Sequence, residues 1–142
     1  MTSDGRSPKE AAVFRGFPVW AARLLAAATA AYAVVLVAAT HYPKPEEFLG
    51  PNAPSDKLLH FMAYGVLGLL AAATLWAYGR WTPRSPLKLL AALALAAIVD
   101  EVTQPLCSRA AEPLDWVFDV IGLAIGIAVI ASLAWARGSR SA

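Results

Sequence analysis

Residues 115–136 read DWVFDVIGLAIGIAVIASLAWA. A helix needs about 20 predominantly apolar residues to cross the hydrocarbon core of a bilayer, and this run reaches that length only if Asp115 and Asp119 are admitted in its first turn and a half. Asp115, Asp119, Gly122 and Gly126 follow one another at steps of four, three and four, which places them along one stripe of a helix. Gly122 and Gly126 form a G-x-x-x-G spacing, where missing Cβ atoms let a neighbouring backbone approach closely. Acids that share a stripe with packing glycines face protein rather than lipid.

Three further runs complete the pattern. Residues 24–42 carry no formal charge, and residues 58–79 are interrupted by only two polar groups near their start, His60 and Tyr64. Residues 87–104 keep their length by including Lys88 at one end and Asp100 and Glu101 at the other. Gly65 and Gly68 mark a close-packing face on the second run. An irregular backbone cannot face lipid, so the expected fold is an all-α integral membrane protein. It is a four-transmembrane-helix bundle, with helices at about 19–42, 58–79, 87–104 and 115–136. Residues 18–137 form the bundle; residues 1–17 and 138–142 are polar tails, the first lacking fixed structure. A cleavable leader is the competing reading of the first run, which follows basic residues and contains Ala38, Ala39 and Thr40; its length and the lack of a clear A-x-A site favour a retained helix.

Composition agrees: the chain of 142 residues is 58% hydrophobic and 15% charged. Its basic residues are unevenly placed. Arg6, Lys9, Arg15, Arg23, Arg80, Arg84, Lys88, Arg137 and Arg140 fall on one side of the expected membrane, and Lys44, Lys57 and Arg109 on the other. Positive flanking residues are retained in the cytoplasm, so both termini are expected to be cytoplasmic. Trp20, Trp76, Trp81 and Trp135 would then lie at the cytoplasmic interface, and Tyr42 and Trp116 at the outer one. The net charge of +2 is explained by insertion and implies no nucleic-acid partner. The link 80–86 is short, which makes the second and third helices antiparallel neighbours. Four prolines in residues 43–55 exclude a helix there.

The polar residues concentrate at the outer level. Asp56, His60 and Tyr64 lie at successive steps of four on the second helix, with Lys57 beside Asp56. Glu101 and Gln104 lie three apart on the third, and Asp100 points about 100° away from Glu101. Pro105 then removes an N–H that a continuing helix needs. An acid at the centre of a membrane helix costs about 2.5–3.5 kcal/mol on insertion scales, so these groups need partners. Lys57, Arg109 and His60 are the natural ones. Capping offers Asp56 and Asp115 a simpler role, and Glu46, Glu47 and Glu112 read as solvated. The coincidence of His60, Glu101, Gln104, Arg109 and Asp119 at one level is not covered by capping or solvation.

The blocks Asp56-Lys57-Leu58-Leu59-His60 with Tyr64, Asp100-Glu101-Val102-Thr103-Gln104, then Arg109, then Asp115 to Gly126, resemble the VanZ-like family of small bacterial membrane proteins. That pattern reads roughly D-K-x-x-H-x-x-x-Y, [D]-E-x-x-Q, R and D-x-x-x-N-x-x-G-x-x-x-G. Its blocks occur here in order over about half of the chain. Asp119 stands where such proteins commonly carry Asn, and the segment Pro105-Leu106-Cys107-Ser108 is this chain's own. The resemblance implies a multi-pass protein of the bacterial inner (cytoplasmic) membrane, in a family whose founding member is associated with resistance to the glycopeptide teicoplanin. It supplies no molecular mechanism.

Two functional classes follow. In the first, a non-catalytic envelope protein uses its outward polar site to bind a headgroup, a lipid-linked cell-wall component or a glycopeptide. Lys57 and Arg109 would meet anionic groups, and Gln104 and the carboxyls would meet hydroxyls and amides. In the second, a membrane-embedded hydrolase or transferase acts on a lipid-linked substrate, with His60 as general base and Glu101 or Asp119 as its orienter or the acid. No serine nucleophile motif and no H-E-x-x-H accompanies them. The sequence assigns no cofactor and no metal, although Asp56 and His60 at i and i+4, with Glu101 and Asp119, would permit a divalent ion. Ion transport is the least favoured class. Cys107 has no partner cysteine in this chain.

Overall fold

The computed structural model describes residues 17–43, 50 and 54–139. Four α-helices run in order: α1 (Val19–Thr40), α2 (Asp56–Ala77), α3 (Ser85–Thr103), a 3₁₀ turn (Gln104–Cys107) and α4 (Pro113–Ser139). All four are long and apolar enough to cross a membrane, and no strand occurs among the described residues. The burial pattern points the same way. Val34, Val35, Leu95 and Ile125 are exposed, while Asp100, Glu101, Gln104, Asp115 and Asp119 are buried. That inverts the usual distribution of a water-soluble bundle and suits an apolar solvent.

The helix ends differ from the expected ones for local reasons. Ser55 is the N-cap of α2, its Oγ accepting from the Leu58 N–H, so Asp56 is the first helical residue and not the cap. Pro113 opens α4, which places Asp115 inside the first turn. Gly79 adopts φ 67° just past α2, and the Arg80 N–H reaches back to the Leu75 carbonyl at 3.1 Å, a left-handed glycine stop. Phe17 belongs to the bundle, with its ring 5.7 Å from that of Trp76. Residues 1–16 and 140–142, most of the proline-rich stretch, and Glu46 and Glu47 lie outside the described residues.

The helix order in space is not the order in sequence. α2 packs most extensively on α4, α4 also covers α3, and α1 leans on α2; α2 and α3, though joined by a short link, touch only slightly. The expected neighbour pair is therefore replaced by α2 and α4, because the glycines lie on those two. A Cβ on Gly126 would run into the Gly65 carbonyl, one on Gly122 into the Phe61 carbonyl, and one on Gly68 would come within 2.7 Å of the Leu123 carbonyl oxygen. Leu36, Tyr64, Leu67, Ala97 and Leu123 fill the core beside this seam. α1 is held by Thr29, whose hydroxyl is 2.8 Å from that of Thr74, and by the Tyr32 hydroxyl donating to the Ala63 carbonyl at 2.9 Å. Interhelical bonds of this kind contribute about 0.6 kcal/mol each in a membrane protein, so packing carries more of the association.

The bundle has two chemically distinct ends. Phe17, Trp76 and Arg137 meet at one, with the guanidinium 4.9 Å from the Trp76 ring centre. Thr40, Asp56, Gln104, Arg109 and Asp115 gather at the other. An even number of helices brings both described chain ends to the aromatic end. Trp116, expected in an outer belt, instead turns inward and donates to the Ala94 carbonyl at 3.1 Å.

Candidate functional site: a buried polar cluster at one end of the bundle

α2 contributes its stripe as the spacing predicts. Asp56 lies at the rim, His60 is buried one turn deeper, and Tyr64 is buried below it. The His60 and Tyr64 rings lie parallel, 6.3 Å apart. α4 presents Asp115 and Asp119 on the matching stripe, each 1% exposed. His60 Nδ1 meets Asp119 Oδ1 at 2.9 Å.

The two adjacent acids of α3 serve different neighbours, as their angular offset requires. Asp100 turns toward α1 and α2, accepting from the Tyr64 hydroxyl at 2.9 Å and the Thr40 hydroxyl at 3.1 Å. Glu101 turns toward α4. One of its oxygens accepts from Gln104 Nε2 at 3.2 Å, and the other accepts a short hydrogen bond from the Glu112 backbone N–H. Gln104 is fully buried because the 3₁₀ turn begun before Pro105 folds it under the bundle end.

Ser108 ends that turn in the left-handed region, with φ 61°, and so aims Arg109 back over the cluster. One guanidinium nitrogen of Arg109 donates to both oxygens of Asp56 at 2.6 Å, and the other donates to the Thr40 carbonyl at 2.9 Å. Lys57 donates to Glu112 at 2.9 Å and lies 3.7 Å from Asp115. Both strong bases are therefore engaged by carboxylates of this chain.

All ten polar residues singled out in the sequence are thus gathered at this end: Asp56, Lys57, His60, Tyr64, Asp100, Glu101, Gln104, Arg109, Asp115 and Asp119. Thr40, His41 and Thr103 were not singled out. His41 Nε2 lies 3.0 Å from the Thr103 hydroxyl and its Nδ1 lies 3.6 Å from Asp100. A scan for formal charge passes over a neutral imidazole; the available signal was Thr40-His41 closing an apolar run at the level of the acids. Glu112, expected to be solvated, is exposed at its carboxylate but ties Lys57 and Glu101 together.

Among the described residues, four buried side-chain atoms have no hydrogen-bond partner: His60 Nε2, Gln104 Oε1, Asp115 Oδ1 and Asp119 Oδ2. Among the described residues, two trios could hold a metal ion, Asp56 with His60 and Asp115, and His60 with Glu101 and Asp119; within each the ligand atoms lie within 4.8 Å of one another. A cleft of about 260 Å³ between α1 and α2 leads to this region, lined by Leu36, Ala39, Leu59 and Ala63 on one side and Thr40, Asp56, His60 and Arg109 on the other. A second cleft, about 250 Å³, reaches Glu101 between α3 and α4.

Comparison of the chain with protein-family models, with curated proteins and with solved structures returns no match.

Proposed function

We propose that this chain is a VanZ-like, multi-pass protein of the bacterial cytoplasmic membrane, with the polar end of the bundle facing outward. In this reading it binds the headgroup of an envelope lipid or lipid-linked cell-wall component, and by doing so lowers sensitivity to glycopeptides such as teicoplanin. The observation that carries the reading is the cleft between α1 and α2. Leu36 and Ala63 line it toward the bundle middle, while Ala39 and Leu59 stand beside Thr40, Asp56, His60 and Arg109 at its outer end. Such a cleft suits an amphiphile with its tail along Leu36 and Ala63 and its head against the cluster. Because Arg109 and Lys57 are already paired with acids, hydroxyl, amide or ammonium groups suit the head better than a second anion.

The test compares wild type with Leu59→Trp, which narrows the cleft and leaves every residue of the polar cluster unsubstituted. Lipids retained by protein purified in mild detergent would be identified by mass spectrometry, and teicoplanin susceptibility would be read in a sensitive Gram-positive host at matched protein levels. A lipid class retained by wild type and lost from Leu59→Trp, with loss of protection, supports the reading. The same lipids and the same susceptibility in both would sink it.

A second reading, a membrane-embedded hydrolase or transferase acting on lipid-linked substrates, draws on one observation, the 2.9 Å hydrogen bond that orients His60 on Asp119. An imidazole held by a carboxylate is the arrangement of a general base. Conversion of defined lipid-linked substrates by wild type and not by His60→Ala would establish it.

A further inference from the structure

The polar cluster has an imbalance that its own side chains do not resolve. Asp56 is matched by Arg109 and Glu112 by Lys57, and Asp100 receives two hydroxyls. Glu101 accepts from Gln104 and from the Glu112 N–H, and Lys57, already bound to Glu112, lies 3.7 Å from one oxygen of Asp115; Asp115 and Asp119 are both buried beside His60. When His60 donates Nδ1–H to the Asp119 carboxylate, the neutral ring leaves Nε2 as a bare lone pair. That nitrogen is 3% exposed by residue and has no hydrogen-bond partner. The nearest oxygen of Asp115, Oδ2, lies 4.0 Å away, beyond hydrogen-bond reach. Gln104 Oε1, Asp115 Oδ1 and Asp119 Oδ2 are acceptors in the same condition.

Of these buried acceptors Asp115 Oδ1 has Lys57 Nζ at 3.7 Å; His60 Nε2, Gln104 Oε1 and Asp119 Oδ2 still need a donor or a cation. Native structures leave few such atoms unpaired because each costs about 1–3 kcal/mol. The separation of His60 Nε2 from Asp115 Oδ2, 4.0 Å, is a few tenths of an ångström wider than the roughly 3.3–3.6 Å set by two bonds of about 2.0–2.2 Å in a tetrahedral site, so a small inward shift completes the pair. The Nδ1 bond to Asp119 is the orienting contact that metal-bound histidines usually make to a carboxylate. One imidazole with several carboxylate oxygens favours borderline divalent ions such as zinc or manganese over magnesium. The cleft between α1 and α2 reaches both Asp56 and His60 and offers an entry path.

From this geometry we propose that the buried cluster binds one divalent transition-metal ion, with His60 Nε2 as its nitrogen ligand, Asp115 as an oxygen ligand and Asp119 as the carboxylate that orients the imidazole. The site stands whether or not the cleft holds a lipid, so its failure and that of the lipid reading are separately observed.

The experiment uses the full chain purified in detergent, stripped with a chelator and titrated with ZnCl2, MnCl2 and MgCl2, reading calorimetric stoichiometry and thermal midpoint. The expected result is one equivalent of Zn2+ or Mn2+ with a raised midpoint, and an X-ray absorption spectrum of the zinc form with a single imidazole nitrogen among oxygens. His60→Ala and Asp119→Asn should each weaken binding, the first by 100-fold or more and the second by about 10–100-fold. No stoichiometric ion on the wild type would overturn the proposal and assign the orphaned acceptors to protons or water. So would a spectrum without nitrogen, unchanged affinity in His60→Ala, or equal stabilisation by MgCl2. The wild-type titration and spectrum decide the matter even if a variant fails to fold.

Discussion

His60 of α2 and Asp119 of α4 meet at 2.9 Å with side chains 2% and 1% exposed, about one and a half turns along α2 and two along α4 from where Gly65 and Gly126 bring the same helix pair into backbone contact. The polar pair and the glycine seam are one construction. The close approach at the glycines sets α2 against α4, so the buried imidazole finds its carboxylate partner on the facing helix.

The seam should discriminate between its glycines. A Cβ on Gly65 meets the Gly122 carbonyl oxygen at an ordinary 3.6 Å, whereas one on Gly126 collides with the Gly65 backbone. Gly65→Ala is expected to leave the thermal midpoint in detergent nearly unchanged. Gly126→Ala should destabilise by about 1–3 kcal/mol or more, since backbone cannot yield as a side chain does. Equal midpoints for the two variants would contradict the seam.

Arg109 clamps the loop before α4 onto α1 and α2. Removing one partner of a fully buried ion pair costs about 3–5 kcal/mol, but Asp56 is 43% exposed, so Arg109→Ala should cost about 1–3 kcal/mol. Arg109→Lys should recover part of this, because an ammonium can reach Asp56 but cannot also keep the fixed fork to the Thr40 carbonyl. Thermal unfolding of both variants checks the order.

Asp119 stands where the proposed family commonly carries Asn. With chelator present, Asp119→Asn keeps a side-chain oxygen for the His60 N–H and should cost less than about 1 kcal/mol. Asp119→Leu strands that donor and should cost about 1–3 kcal/mol. A Leu variant as stable as the Asn variant would mean that the hydrogen bond contributes nothing.

Ser108 holds a left-handed backbone, φ 61°, which costs a residue with a Cβ about 1–2 kcal/mol. Ser108→Gly relieves that strain while freeing the unfolded chain, and should be neutral to about 1 kcal/mol stabilising. A marked loss of stability would show that the hydroxyl has a role beyond the turn.

Cys107 is exposed at the polar end, opposite the end where Phe17 meets Trp76. In the proposed orientation an impermeant maleimide labels Cys107 on intact cells, while Ala136→Cys in a cysteine-free background is labelled only after lysis. The reverse pattern would invert the topology.

What the sequence by itself determined is the set of helices and which face of each is polar. Apolar runs of bilayer length leave the backbone no other way to satisfy its hydrogen bonds. The four-residue spacing of Asp56, His60 and Tyr64, and the stripe from Asp115 to Gly126, follow from the helical period alone. Even the divergence of Asp100 and Glu101 was legible as an angle.

Only the tertiary structure decided who meets whom. It set α4, rather than α3, as the main partner of α2, recruited Thr40, His41 and Glu112, and left Arg109 and Lys57 already paired. It also separated the satisfied acids from the orphaned ones. Helical periodicity reports direction about one axis, whereas partner choice depends on how closely two backbones can approach, and that was settled between helices distant in the chain by glycines that carry no charge and no polar side chain.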